Sequence, residues 1–330
     1  MKILSISVAA YNLEEQIEKN LNSFLNSFNK NKLEIIVTDD GSKDRTAEIV
    51  KKYADMYPDI VKLITQKNKG PGSSINNGVE KATGKYLKMV DGDDWVITEN
   101  LDTIIDILEK TDVDMVLTNR EIYNQKQKSI VRIDNLNLKE KEVLDFNEYA
   151  NELSLNMHQT CFKTDILKKN KIIFDNCFYT DNEYLIFPIK HVKNFMYIDV
   201  DLYVYTVGQD NQSVSIENMK RNIKDYNFIL NKMINFYEQN KELSKGKREF
   251  LCNEIAAMAT NQLGTFLTYD DKKEAKNEIK YFNKKLKNKS LDIYNRYKVS
   301  KKAFFIVYSN YILTNFISNL YLKKIKNGRY

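Results

Sequence analysis

Hydrophobic and polar positions in the first hundred residues switch between two periods. The short apolar runs Ile3–Ala10, Glu34–Thr38, Val61–Thr65 and Tyr86–Val90 read as buried strands. Between them, Glu14–Phe28 sets Ile17, Leu21, Phe24, Leu25 and Phe28 on one side, which predicts an amphipathic helix. Asp44–Tyr57 predicts a second helix with Ser42 as its cap, and Ser73–Ala82 a third after the glycine-punctuated loop Lys69–Gly72. Strands separated by helical stretches imply crossover connections and a mainly parallel α/β sheet.

Past residue 100 the pattern thins. Leu101–Leu108 reads as helix, Asp114–Thr118 as strand, and the polar stretch 119–142 as a meander or mobile loop. Val143–Leu155 and Tyr184–Val192 read as helices, the second carrying His191, and the aromatic alternation of Phe195–Val207 as strands. Beyond about residue 216 the chain reads as helical throughout, with repeated apolar spacing in Ile223–Tyr237 and Phe250–Leu267.

Composition narrows the class. With 330 residues, 42% hydrophobic and 12% aromatic, the chain can bury a core, which excludes wholesale disorder. Cys161, Cys177 and Cys252 are too few and too scattered for a disulfide framework or a zinc cluster; they suit core positions in a reducing compartment. No apolar run reaches the roughly 18 residues of a membrane span, and the short apolar start reads as a first strand rather than a signal peptide. The net charge of +6 hides an asymmetry: residues 271–330 carry +12, which leaves −6 on the rest. An acidic body with a basic tail does not suit wrapping nucleic acid; it suits a body tethered to an anionic surface.

The candidate chemistry lies at strand ends, where open α/β sheets bind ligands. Three strands run into Tyr11-Asn12, Asp39-Asp40-Gly41-Ser42 and Asp91-Gly92-Asp93-Asp94. Carboxylates two apart can reach one divalent cation and the ribose or diphosphate beside it, and oxygen ligands suit Mg²⁺ or Mn²⁺. Taken alone, an acidic loop capping the next helix explains the triplet about as well. One carboxylate of the Asp39-Asp40 pair could accept a base N–H, and the helix start behind it could favour phosphate. Asn68–Ser74 offers backbone amides and flexible glycines as a phosphate cradle.

Together these segments resemble the GT-A glycosyltransferases of family 2. The likeness runs in order through Ser7–Asn12, Asp39–Ser42 with Asp44 and Thr46, Asn68–Gly70 to Asn76–Gly78, Gly84–Tyr86 and Asp91–Asp94, over residues 3–98. Thr180–Glu183 and Tyr205 through Gln212–Ser215 resemble acceptor-side segments and extend it to about residue 215. The resemblance implies a catalytic domain over 1–215, with a nucleotide-sugar half at 1–98 and an acceptor half at 99–215. A helical region with a basic amphipathic tail follows at 216–330.

It further implies that Ala10, Tyr11 and Asn12 border the nucleotide and that Asp40 contacts the base, a uracil. Lys69, Gly70 and Gly92 line the nucleotide-sugar site, Asp91 lies by the ribose or metal water shell, and Asp93 coordinates Mn²⁺ or Mg²⁺. Asp181 takes the place of general base, with a helix-capping carboxylate as its plainer reading. Asp94, Trp95 and His158 are candidates for the acceptor side, Trp95 fitting a packing role equally well and His191 a structural one. Three departures stand out: Ala9 for the family's proline, Ile75 for its arginine, whose contact Lys69 could replace, and Thr180 for the glutamate of its Glu-Asp pair.

Without a membrane span or a Gln-x-x-Arg-Trp motif, the resemblance implies addition of one sugar from a UDP-sugar, with inversion. The tail sets Ala303–Tyr308 and Asn319–Leu322 between Lys301-Lys302 and Lys323-Lys324, with Asn310, Thr314 and Ser318 at four-residue spacing as a polar stripe. That pattern over 298–326 suits a helix lying on an anionic membrane, and suits equally a helix docked on the protein's own body or on a second subunit. A membrane-bound tail implies a lipid-linked glycan acceptor, in bacterial capsule, cell-wall or lipopolysaccharide synthesis at the inner face of the cell membrane. The alternatives are a non-catalytic membrane-surface scaffold on a degenerate transferase domain, encouraged by Ile75 and Thr180, and a phosphatase using Asp91 and Asp93, which leaves Asp39-Asp40 idle.

Overall fold

The computed structural model describes residues 1–134, 138–208 and 216–326. It divides into two compact units, Met1–Asp210 and Asn211–Tyr330. The first is built on one sheet of ten strands: β1 Leu4–Ala10, β2 Leu33–Asp39, β3 Val61–Thr65, β4 Tyr86–Asp91, β5 Trp95–Val96, β6 Met115–Asn124, β7 Ser129–Ile133, β8 Leu144–Asp145, β9 Thr160–Lys163 and β10 Asn194–Val207. The order is β3-β2-β1-β4-β9-β6-β10-β5, with β7 on β6 and β8 on β10. The first four strands form the expected parallel block. Then β9 pairs antiparallel with both β4 and β6, and β6 runs parallel to β10.

Strands β1 and β2 are buried at almost every position, because helices cover both faces of a parallel sheet. The crossovers are α1 Ile17–Leu25, α2 Thr46–Met56, α3 Pro71–Lys81 and, after β5, α4 Thr98–Lys110. Helix α1 is shorter than its apolar pattern suggests. The amides of Leu13 and Glu14 are taken by Thr46 Oγ1 and Asp44 Oδ2, which holds residues 13–16 as a turn. At the other end Asp102 accepts from Ser27 and from the amides of Phe28 and Asn29, and Phe28 is left in solvent. Ser42 does not cap α2. Its hydroxyl accepts from Asn12 N, while Asp44 Oδ1 takes the Thr46 amide. Helix α3 begins two residues early, with Pro71 in its first turn, where a missing N–H costs nothing.

The polar stretch after residue 118 is not a loose loop in its described part: β6 continues to Asn124 and folds back as β7. The helix expected over 143–155 reduces to β8 and α5 Phe146–Tyr149, a single turn capped by Asp145. After α6 Thr164–Lys169 comes α7 Asp181–Ile186, which tightens into a 3₁₀ turn at Phe187–Lys190. His191 falls beyond that turn rather than on a helix. Residues 194–207 form one long strand, whose register against β6 shifts between Tyr197, Asp201 and Tyr203.

The second unit is helical throughout its described residues: α8 Ile216–Arg221, α9 Ile223–Gln239, α10 Lys245–Leu267, α11 Lys272–Lys289, α12 Leu291–Tyr297, α13 Lys301–Tyr308 and α14 Thr314–Lys326. Helix α10 is its axis, burying Phe250, Leu251, Ile255, Ala259, Leu263 and Leu267. No helix among the described residues is long and apolar enough to cross a membrane. The expected polar stripe is not on one helix. The chain turns at Asn310 and Tyr311, both at positive φ, and Thr314 and Ser318 point inward.

Candidate active site

Parallel register sets the strand ends level: Ala10 pairs with Asp39, and Ala9 with Asp91. Asp40 N donates to Ala10 O at 2.8 Å and Gly92 N to Ala9 O at 3.1 Å, so both acidic loops are fastened to consecutive carbonyls of β1. Gly92 is required by that approach. A Cβ there would meet Leu13 Cδ1 at 2.6 Å and Ala9 O at 2.8 Å. Gly41, at φ +78°, lets the other loop lie against Asn68, whose amide nitrogen a Cβ would meet at 2.8 Å.

The Asp40 carboxylate is occupied by its own protein. It accepts from Lys69 N and Gly70 N at 2.8 Å each and from Gln66 Nε2 at 2.7 Å, and so holds the Lys69-Gly70 loop against β2. The Lys69 side chain is exposed, and Ile75 is buried. Beside them Asp39 Oδ1 is buried with no partner, while Oδ2 takes the Ser42 amide at 3.3 Å. Asn12, at φ 53°, accepts from Lys43 N and donates its own amide to Ser42, leaving Tyr11 exposed at the rim.

The Asp91–Asp94 turn is held from below by Asn20, whose amide donates to Asp91 O and Asp94 O. Asp94 points inward. It accepts from Tyr203 Oη at 2.6 Å and Thr206 N at 2.7 Å, and burial with Asp91 and Asp93 nearby holds its carboxyl well above the usual range. Asp94 is therefore a structural anchor of the turn rather than an open acceptor-side group. Asp93 lines a cavity of about 190 Å³ with Glu15, Gln16, Lys19, Trp95, Tyr123 and Thr206. Burial, then the Asp91 charge, pushes its carboxyl up to about 6. Across that cavity the Lys19 ammonium covers the Trp95 ring 2.9 Å from its centroid, and Tyr123 meets the same ring edge-on.

Asp91, Asp94 and His158 bring one ligand atom each within 4.8 Å of one another, a spacing one divalent cation could bridge. The protonation of His158 follows from its neighbours. Nδ1 lies 2.9 Å from Arg120 Nη1, and a guanidinium can only donate. The imidazole is therefore neutral with its proton on Nε2, which stands 3.4 Å from Asp91 Oδ2. Burial favours that neutral form. With its proton on Nε2, His158 faces Asp91 as a donor. The ring stacks against Tyr203 and Tyr205, at 4.5 Å from each centroid, and its backbone carbonyl accepts from Lys88 Nζ at 2.8 Å. Lys88 is fully buried in β4, and burial lowers its ammonium to about 8.

Asp181 opens α7. Burial, then the Asp91 charge, pushes its carboxyl up to about 6. Thr180, where a carboxylate was expected, donates to the buried Glu183, which also takes the Asp175 amide. Gln212–Ser215 lie outside the described residues. The alternation of residues 195–207 contained Tyr203 and Tyr205 but no sign of what they face. Arg120 and Lys88 carried no local signal at all, since each acts through a residue distant in sequence. Cys161 and Cys252 are buried and free.

The sequence pattern described as Glycosyl transferase family 2 matches residues 5–172. The chain belongs to that family. Among curated relatives, a cholesterol galactosyltransferase of Borreliella burgdorferi is 29% identical over 230 residues, which is 64% of this chain and 63% of that protein. The chain spans less than two thirds of the length of such relatives. Among solved structures, S. aureus TarS 1-349 in complex with UDP-GlcNAc superposes with a TM-score of 0.66 at 19% identity, covering 100% of this chain and 93% of that one. The mannosyltransferase PcManGT of Pyrobaculum calidifontis, in complex with GDP-Man and Mn²⁺, gives 0.55 at 15% identity, covering 99% and 86%. These likenesses carry the fold, which is the GT-A type the strand-end motifs led us to expect.

Proposed function

We propose that this chain is a metal-dependent, inverting glycosyltransferase that moves one sugar from a UDP-sugar to a lipid-linked glycan in bacterial surface polysaccharide synthesis. The observation that carries the reading is the fastening of the two acidic loops to consecutive carbonyls of β1, Asp40 N on Ala10 O and Gly92 N on Ala9 O. The Asp181 carboxyl, raised to about 6 by burial and then by the Asp91 charge, supports it. A cation held by the carboxylates of Asp91 and Asp93 would offset the Asp91 charge that, after burial, raises the Asp93 carboxyl to about 6. Mn²⁺ or Mg²⁺ bound there supplies Lewis acidity toward the departing diphosphate.

The remaining roles belong to the chain. Tyr11, Asn12, Asp40 and the Lys69-Gly70 loop border the nucleotide, Asp40 by keeping that loop in place. His158 aims Asp91. Asp181, ionised above about pH 6, takes the acceptor hydroxyl's proton as the oxygen attacks. One displacement at the anomeric carbon inverts it. The relatives' names support transfer of a sugar, and the solved neighbours hold nucleotide sugars.

A panel of nucleotide sugars, assayed for nucleotide release with Mn²⁺ and with chelator, tests the transferase reading without knowledge of the acceptor. Metal-dependent release from one donor is the expected result, and no release from any donor contradicts it. NMR of the transferred sugar reads the anomeric outcome, and retention rules out direct displacement.

A further inference from the structure

Helix α14 buries polar side chains and exposes large apolar ones. Its inward face buries polar groups beside Ile317: Thr314 and Ser318 are 1% and 0% exposed, and Ser318 donates to Leu267 O at 2.6 Å while accepting from Lys272 Nζ at 2.8 Å. Its outward face sets large apolar side chains among Asn315 and Asn319, with Phe316 61% and Leu320 53% exposed, and Ile312 in the preceding turn is 77% exposed. Helix α13 continues the surface. Ala303 and Ile306 face inward, whereas Phe304, Phe305 and Tyr308 face solvent, the Phe304 ring meeting Phe305 edge-on and Tyr308 at a tilt. Water does not favour such an arrangement, in which aromatic rings stand out in solvent.

We infer that the outer face of α13 and α14 is a docking surface for an anionic lipid monolayer. The charge around the rings selects this occupant. Residues 293–330 contain eight Lys or Arg and no acidic residue, and Lys301, Lys323 and Lys324 are exposed beside the aromatic face. Aromatic rings flanked by lysines match the interface of a bilayer, where rings enter the headgroup boundary and ammonium groups meet lipid phosphates. A second copy of the same face would set lysines against lysines with no acid between them. The inference extends the lipid-linked acceptor reading, bringing the chain to the surface that carries such an acceptor. Its test needs no turnover, so the two fail separately.

The full chain is sedimented with phosphatidylcholine vesicles, with and without phosphatidylglycerol. Binding at least about tenfold tighter with phosphatidylglycerol is expected. The double variant Phe305→Ser/Phe316→Ser loses that binding, and Lys301→Gln/Lys323→Gln/Lys324→Gln loses the preference for anionic lipid. Each variant keeps the wild-type circular dichroism and thermal midpoint, since every altered side chain is exposed. Binding to neither vesicle, equal binding to both, or undiminished binding by the serine variant overturns the inference. So does a wild-type dimer, by light scattering, that the serine variant dissolves.

Discussion

His158 Nε2 stands 3.4 Å from Asp91 Oδ2, and Arg120 occupies the other ring nitrogen. The pair reads as a carboxylate held by an imidazole N–H, with Arg120 setting the tautomer and two tyrosine rings setting the plane. Residues that orient a metal-site ligand commonly matter nearly as much as the ligand. His158→Ala is predicted to lower kcat/KM by roughly 10–100-fold. His158→Gln, which keeps an N–H donor, recovers part of that loss. Equal loss in both variants would show that packing, not the hydrogen bond, accounts for the effect.

Asp181 gives a second prediction. With its carboxyl near 6, the transfer rate falls as pH drops through that value, because the base is then protonated. Asp181→Asn lowers kcat roughly 10²–10⁴-fold and leaves nucleotide affinity close to wild type. A full pH–rate profile on both proteins checks this, and an acid limb near 6 that persists in the variant's residual rate would assign it to another group.

The acidic turn makes stability depend on pH and metal together. Asp93 and Asp181 have raised carboxyls in the folded protein, so between about pH 4 and about pH 6 the native state binds more protons than the unfolded chain. Metal-free protein therefore loses stability as pH rises through that window. A bound cation offsets the same charge. Mn²⁺ is predicted to raise the thermal midpoint by roughly 2–4 °C at about pH 7.5 and by less at about pH 5. Asp93→Asn abolishes most of the difference, read by differential scanning calorimetry.

Asp40 acts through the loop it holds. Asp40→Ala leaves the amides of Lys69 and Gly70 without their acceptor, at a cost of about 1–3 kcal/mol in stability. Donor KM rises with little change in kcat. Steady-state kinetics over a donor series separate the two parameters, and an unchanged KM would remove the loop from the nucleotide site.

Much of this architecture was legible along the chain because it rests on local pattern. Alternating apolar runs gave β1–β4 and the crossover helices, and the acidic triplets stood at strand ends. Element boundaries were less legible. Leu13 and Glu14 leave the helix because residues 44 and 46 capture their amides, and nothing local to α1 announces that. The same limit hid the assembly around His158, where β4, β6 and β10 each contribute one or two side chains. Lys88 looks like an ordinary strand residue until the fold seals it beneath the His158 carbonyl. The tail's polar spacing left open a membrane, the protein's own body or a second subunit as its cover; Ser318 fastens α14 to the body through Leu267 O and Lys272.

Titration calorimetry of UDP with and without Mn²⁺, on wild type and Asp93→Asn, tests the central claim most directly. The account predicts that Mn²⁺ tightens UDP binding at least about tenfold in wild type and fails to do so in the variant. UDP binding indifferent to Mn²⁺, or a metal effect that survives Asp93→Asn, would contradict it.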